Sequence, residues 1–254
     1  MSNKKNKNIK NEIISTKANT LKALESLISK AFIEKMLIVI VKDYMRNKRE
    51  MALQIGKQFQ GEKIVVRSSS TNEDCFKKSN AGHYTSVLNV DSSNVTTVIN
   101  AIDEVVASYT SDIEDVSNQQ VLIQHQAVDV VYSGVLFTYD IQGQRPYYLI
   151  NYDDSGSTDS VTSGIGGKTL WVARNTKLAE LDEAWQNLLD AVNEIEELLK
   201  IPLDIEFAIN KNNEIIIFQV RPLVANFSKN KQAVLSFKRS EEHTSELQSR
   251  GTIS

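Results

Sequence analysis

Apolar positions recur along this 254-residue chain with two periods, the 3.6-residue period of an α-helix and the two-residue period of a β-strand. Segments with helical spacing occur four times: 17–32, with Ser15 or Thr16 as N-cap; a more polar one at 43–59; 98–109; and 181–199. The last is the clearest, since eight large apolar residues form one stripe along it and Pro202 stops it.

Short continuous apolar runs predict buried strands between these helices. They occupy the ranges 36–41, 63–67, 121–124, 134–138 and 147–151, and TLWVARN after Lys168 also has a strand-like composition. Near the C-terminal end, LDIEFAI and EIIIFQV flank the turn-rich NKNN, which predicts a β-hairpin. Because strands and helices interleave throughout, the predicted fold class is α+β with α/β-type interleaving.

The amino-acid composition argues against several classes of function. Hydrophobic residues make up 41% of the chain, enough for a sizeable core, and 29 basic against 32 acidic residues give a net charge of -3. This balance argues against a sequence-independent nucleic-acid binder, and no apolar run reaches the roughly 20 residues of a membrane span. Cys75 is the only cysteine in the sequence, so no internal disulfide can form and a cytoplasmic location is predicted.

The predicted hairpin carries the most informative polar residues. Asp204 and Glu206 share one face of the first strand, and Gln219 and Arg221 share one face of the second. If the strands pair in register, Glu206 lies beside Gln219, and a carboxylate beside an amide oxygen suits Mg²⁺. The planar fork of Arg221 suits a phosphate. The alternative is an ordinary cross-strand polar cluster on a surface hairpin.

A second candidate is the segment VVRSSSTNED. Arg67 ends a buried strand, where an unpaired guanidinium would be costly, and three serines with Thr71 come after it. Their hydroxyl and backbone donors could hold an anion. The alternative is a solvated arginine at the exit from a strand into a turn.

The stretch TSGIGGKT at 162–169 nearly matches a phosphate-binding P-loop, but Thr162 stands where the first required glycine should be. A P-loop also leaves a strand and opens a helix at once, whereas here a longer Gly- and Ser-rich loop precedes a strand-like segment. We therefore expect a flexible loop over a ligand, with a plain linker as the alternative.

The candidate segments occur in a fixed order along the chain: VRSSSTNED, SNAGHYTSVLNV, VLIQ, SGVLFT, INYDD, TDSVTSG, LDIEFA and FQVRPL. In this order they resemble the N-terminal ATP-binding domain of phosphoenolpyruvate synthase and pyruvate phosphate dikinase, over roughly 15–223. The resemblance implies an ATP-grasp fold, in which two subdomains close on the nucleotide. The implied domain spans 15–228, with subdomains of roughly 15–110 and 111–228, after a disordered lead-in at 1–14.

The resemblance also implies ATP and Mg²⁺ as ligands. The implied nucleotide-binding residues are Lys17, Arg67, Gln124, Glu206, Gln219 and Arg221. Glu206 and Gln219 match the pair that holds magnesium, and Arg67 and Arg221 match arginines that stabilise the transferred charge. Ser15 and Thr16 stand where relatives often carry two glycines. His83 occupies a variable position, and we expect an ordinary, partly exposed histidine there.

By this resemblance the chain is the ATP-binding domain of a kinase-type phosphotransferase, which donates phosphate to a histidine on another domain. Phosphohistidine and pyruvate-binding domains are therefore expected downstream, with no nucleic-acid or membrane partner. Two alternatives stay open: a stand-alone regulatory nucleotide-binding module, and the ATP domain of an antibiotic or glucan phosphotransferase.

The C-terminal segment has a different character. RSEEHTSELQS at 239–249 resembles the translation of a common DNA-sequencing adapter, so the natural protein is expected to continue past about Lys238. The alternative is a polar natural terminus. In either case the tail at 229–254 is expected to be disordered and without function.

Overall fold

The computed structural model describes residues 13–70, 85–109, 115–140, 145–156 and 167–223. Helices and strands alternate along the chain. In order they are α1 (Lys17–Leu24), β1 (Met36–Ile40), α2 (Val41–Arg46), α3 (Lys48–Phe59), β2 (Lys63–Ser69), β3 (Ser86–Asp91), α4 (Val95–Tyr109), β4 (Gln120–His125), β5 (Val130–Phe137), β6 (Tyr147–Asp153), β7 (Lys168–Ala173), a 3₁₀ turn (Leu178–Glu180), α5 (Glu183–Leu199), β8 (Leu203–Asn210) and β9 (Ile215–Pro222).

The strands form two antiparallel sheets. The first has four strands in the order β1-β4-β2-β3, and the second has five in the order β7-β6-β5-β8-β9. The chain crosses from the first sheet to the second between His125 and Val130. The predicted α+β class is confirmed, whereas the subdomain bounds of 15–110 and 111–228 stay a prediction.

Each sheet buries one face against helices. Alternate residues of β2 and β4, such as Ile64 and Ile123, pack with α3 and α4 in one core. Leu203, Ile205 and Phe207 of β8 pack with the apolar stripe of α5 in the other core. The second core also includes side chains of α1 and of β1 and β4, so residues of both sheets contribute to it. The opposite face of β8, which carries Asp204 and Glu206, is therefore turned away from α5.

Two predicted helices differ from the observed ones: the first ends early, and the second is divided in two. The segment 17–32 is helical only to Leu24, because Phe32 pairs with β9 instead: its N–H donates to Ile215 and its carbonyl accepts from Ile217. The segment 43–59 is divided at Asn47, whose side chain caps α3 by accepting from the Glu50 N–H. The N-cap of α1 is Thr16, one of the two predicted residues.

The predicted strands are all present, and one further strand, β3, was missed. Its residues are only half-buried at the edge of the four-stranded sheet, so its alternation is weak. Within the described part of the chain, no helix is both long and apolar enough to cross a membrane.

Candidate functional site

The β8–β9 hairpin has the register predicted from the sequence. Glu206 lies opposite Gln219, and Asp204 lies opposite Arg221. All four side chains are on the sheet face that points away from α5. The predicted proximity of the carboxylate and the amide is therefore confirmed.

These four residues lie at one end of two rows of directly paired residues, which run across the five-stranded sheet from β9 to β7. In strand order from β9 to β7, one row is Gln219, Glu206, Val135, Asn151 and Thr169; the other is Arg221, Asp204, Phe137, Leu149 and Trp171. Charged side chains in these rows occur only on β8 and β9. The ionic groups are thus confined to one edge of the sheet, the edge that faces β2.

Arg67 connects the two sheets at this edge. Its Nη2 lies 2.8 Å from Glu206 Oε2, and the two side chains are only 11% and 17% exposed. A β-bulge after Glu206 leaves Phe218 as the extra residue on β9, and Arg67 Nη1 donates to its carbonyl at 3.1 Å. The partner that the sequence required for this guanidinium is therefore a carboxylate 139 residues away along the chain.

Electrostatics keep Glu206 ionised despite its burial. Burial alone would raise the pKa of this carboxyl, but its basic neighbours, Arg67 first among them, together hold the pKa below the ordinary value of 4.5. Lys17 and Arg221 lower the pKa further. Three predicted basic residues thus converge on one predicted carboxylate.

Asp204 belongs to the same cluster, although it was not among the predicted binding residues. Arg221 Nε donates to its Oδ2 at 2.7 Å, while its Oδ1 is buried and has no hydrogen-bond partner among the described residues. Burial raises the pKa of the Asp204 carboxyl, although Arg221 partly offsets this. The two-residue spacing from Glu206 was the sequence signal that could have placed Asp204 in the site.

A cleft of about 80 Å³ opens beside the Arg67–Glu206 pair. Its lining includes Val65, Arg67, Ser86, Leu88, Gln124, His125, Gln126, Ala127, Glu206 and Phe218. Gln124 lines this cleft and is 2% exposed, and its role beside the base stays a prediction. His125 was not predicted; its Nδ1 lies 2.9 Å from Glu34 Oε2.

Lys17 is the first residue of α1 and is only 5% exposed. Its helix abuts the end of β2, where the Ala18 N–H donates to Ser69 Oγ at 2.9 Å. Ser69 lies two residues after Arg67 on the same strand. The structure therefore brings Lys17 and Arg67 to the same end of the cluster.

The P-loop interpretation of TSGIGGKT is excluded, because its last two residues, Lys168 and Thr169, lie in a strand and not in a helix. Lys168 begins strand β7, and its ammonium pairs with Asp154 at the surface. Residues 157–166 lie outside the described part of the chain, as do His83 and Cys75.

The donor set fits a hard divalent cation held jointly by the protein and by phosphate oxygens. Among the described residues, no three His, Cys, Asp or Glu side chains converge as an all-protein metal cage. Magnesium commonly takes one or two carboxylates together with substrate phosphates. Glu206, the Gln219 amide oxygen and the orphaned Asp204 Oδ1 supply such oxygens on one sheet face.

Several solved structures are similar to this chain, and the first of those named here supports the fold. PH1788 from Pyrococcus horikoshii Ot3 is 13% identical over 87% of this chain and 98% of its own, with a TM-score of 0.52. D-alanine-D-alanine ligase from Helicobacter pylori is 14% identical over 82% of this chain, with a TM-score of 0.48. D-alanyl-alanine synthetase A from Vibrio cholerae is 12% identical over 81% of this chain, with a TM-score of 0.47. The chain spans 54% of the length of each of these two proteins.

No curated protein matches the chain. A family model does: "Pyruvate phosphate dikinase, AMP/ATP-binding domain" matches residues 1–165 and 158–242. With the two facing antiparallel sheets, this match confirms the predicted ATP-grasp fold and an ATP-binding domain. The chain therefore belongs to the AMP/ATP-binding domain family of pyruvate phosphate dikinase.

Proposed function

We propose that the chain binds Mg²⁺·ATP between its two sheets and supplies the nucleotide side of a phosphotransfer reaction. The observation that carries the proposal is the Arg67–Glu206 pair, which joins the two sheets beside the cleft. Around it lie three basic side chains and two acidic ones: Lys17, Arg67, Arg221, Asp204 and Glu206. A ligand that carries both phosphates and a metal ion matches this mixture of charges.

In this proposal each polar residue has a separate task. Gln124 lies on the cleft wall where the base binds, and Lys17, Arg67 and Arg221 bind phosphate oxygens. Glu206 and Gln219 hold magnesium, with Asp204 Oδ1 as a further acceptor. When bound there, magnesium neutralises charge on the phosphate oxygens.

In the protein without ligand, the charges of Arg67 and Glu206 neutralise each other. Arg67 gives up Glu206 for phosphate oxygens, and Glu206 then accepts the cation of the ligand, so neither buried charge is left unpaired. Arg67 and Arg221 remain beside the transferred phosphoryl group, where they stabilise the developing charge.

We propose a histidine on a separate domain as the phosphate acceptor, which makes the chain one part of a dikinase-type enzyme that acts in the cytoplasm. The choice follows the family, whose name is that of pyruvate phosphate dikinase. An antibiotic or glucan acceptor stays an alternative, because the ATP-binding domain alone does not determine the acceptor. A stand-alone regulatory module is the second candidate. Sequencing the gene past codon 238 tests the choice: a stop codon there would favour the module, and a histidine-bearing domain the enzyme.

Isothermal titration calorimetry of the chain with ATP in magnesium buffer tests the binding proposal. We expect one site per chain with a Kd between about 1 µM and 1 mM, the usual span for enzyme substrates. Folded protein that releases no binding heat, and that shows no protection from unfolding by ATP, would refute the proposal.

Glu206→Gln is expected to weaken ATP binding about 10- to 100-fold in magnesium and much less in EDTA. The variant keeps the shape of the side chain but removes the charge that attracts the cation, and a charged hydrogen bond contributes about 1.5–3 kcal/mol. Titrations in the two buffers measure the difference. Glu194→Gln is the control, because that carboxylate accepts from the Ser29 and Lys30 amides at the surface. Equal affinity of Glu206→Gln and wild type in magnesium would contradict the metal assignment.

A further inference from the structure

The N-terminal amides of α1 are already occupied by acceptors of the protein. The Ala18 N–H donates to Ser69 Oγ at 2.9 Å, and the Asn19 N–H donates to Thr16 Oγ1 at 3.2 Å. The Thr20 N–H donates to the Thr16 carbonyl at 2.8 Å. A phosphate at this helix end therefore cannot be held by these amides in the usual manner and depends on the Lys17 side chain instead.

Gln120 ties this helix end to the four-stranded sheet. The Thr16 hydroxyl donates to Gln120 Oε1 at 2.6 Å, and Gln120 Nε2 donates to Asn19 Oδ1 at 3.3 Å. The residues on either side of Lys17 in the first turn are thus bound to one amide group. This attachment depends on the hydroxyl group of Thr16.

The same glutamine is attached to the strand that carries Arg67. Ser69 lies directly opposite Gln120 in the β2–β4 register. The buried hydroxyl of Tyr109 joins the two strands again, since it accepts from the Ser69 N–H at 2.7 Å and donates to the Gln120 carbonyl at 2.5 Å. Three elements (α1, β2 and the end of α4) therefore meet at Gln120.

We propose that Gln120 is a positioning residue, which fixes the Lys17 ammonium relative to Arg67 and Glu206 and thereby contributes to triphosphate binding. The proposal rests on the proposed function, since it takes Lys17 as a phosphate ligand. Lys17 is 5% exposed, so the place of its ammonium follows from the place of the helix end that carries it. Gln120 and Ser69 hold that helix end through Thr16, Asn19 and the Ala18 N–H before the nucleotide arrives.

Gln120→Ala is expected to weaken ATP binding about tenfold while adenosine binding stays within about twofold of wild type. Adenosine lacks phosphates, so general damage to the cleft would weaken both ligands, whereas a misplaced Lys17 weakens ATP alone. Titration calorimetry measures ATP, and competition against a bound fluorescent nucleotide measures adenosine. Gln186→Ala is the matched control, because it removes a glutamine hydrogen bond to the Leu181 carbonyl away from the site. Equal losses for ATP and adenosine would overturn the proposal.

A double-mutant cycle with Lys17→Ala tests whether Gln120 acts through Lys17. On the Lys17→Ala background, Gln120→Ala should change ATP affinity by less than about twofold, because the group that it positions is gone. Additive effects would overturn the positioning role. If Lys17→Ala itself leaves ATP affinity unchanged, the phosphate role of Lys17 in the proposed function fails instead.

Thr16 offers a second pair of variants that does not disturb the strand. Thr16→Ser keeps the hydroxyl and should retain wild-type ATP affinity, whereas Thr16→Val removes both the bond to Gln120 Oε1 and the cap bond from the Asn19 N–H and should lose at least as much as Gln120→Ala. Circular dichroism checks that α1 and the rest of the fold persist in both variants. A Thr16→Val protein with wild-type ATP affinity would contradict the network.

Discussion

Arg67→Met is expected to abolish measurable Mg²⁺·ATP binding and to lower the free energy of unfolding by about 3–5 kcal/mol. The substitution removes the cation that pairs with Glu206 across the two sheets, where that carboxylate is only 17% exposed. A buried charge left without its partner costs far more than the pair contributes. In the proposed site it also removes a phosphate ligand. Urea unfolding measures the stability, and titration calorimetry measures the binding.

The variant Arg67→Met/Glu206→Gln separates the two effects. With both charges removed, most of the lost stability should return, whereas nucleotide binding should not. Arg46→Met is the surface control, because Arg46 pairs with Asp43 in an exposed position and should change stability by less than about 1 kcal/mol. An Arg67→Met protein that binds ATP within about threefold of wild type would show that Arg67 is not a phosphate ligand.

The loss of stability in Arg67→Met is expected to be larger at neutral pH than in acid. In the wild type, Arg67 and its neighbours hold the pKa of Glu206 below 4.5 against burial, so ionised Glu206 stabilises the fold above that pH and this contribution is lost in acid. In Arg67→Met, the buried Glu206 carboxylate has lost this neighbour. Its protonation in acid removes the unpaired buried charge, so the variant is destabilised less at low pH. The stability gap between the two proteins should therefore be widest near about pH 7 and narrow toward about pH 4.

The hairpin site was predictable because its geometry is local. Strand alternation and a short turn-rich segment are enough to place Glu206 beside Gln219, and the observed register agrees. The bulge at Phe218 was not predictable, because strand alternation does not indicate where a register shift occurs. It turns a backbone carbonyl toward Arg67, a contact that no alternation pattern encodes.

Contacts between residues that are far apart in the sequence could not be predicted. A guanidinium at the end of a buried strand required a partner, but nothing local pointed to Glu206. Phe32 had helical spacing, yet its backbone pairs with β9 because that edge strand offers free ladder groups. Gln120 resembled any polar residue at the start of a strand, and its importance appears only when α1, β2 and α4 meet around it.

Gly134→Ala is the second substitution with a large expected effect, a loss of about 3 kcal/mol or more of unfolding free energy. Gly134 lies in β5, the central strand of the five-stranded sheet. An added Cβ would lie 2.3 Å from the Asn151 carbonyl oxygen and 3.0 Å from the Phe207 ring. Neither neighbour can retreat easily, since Asn151 is held in the β5–β6 ladder and Phe207 in the core.

The effect of this substitution should reach the nucleotide site as well. Phe207 comes directly after Glu206 at the bulge, so a ring displaced by the new methyl group shifts the carboxylate that we propose for magnesium. Gly61→Ala is the control: its φ of +83° makes alanine strained, but the nearest atom is Ser93 Cβ at 3.8 Å. That variant should lose only about 1–2 kcal/mol and keep wild-type ATP affinity. If Gly134→Ala unfolds at the same urea concentration as wild type, the β5–β6–β8 packing that carries Glu206 is looser than its contacts imply.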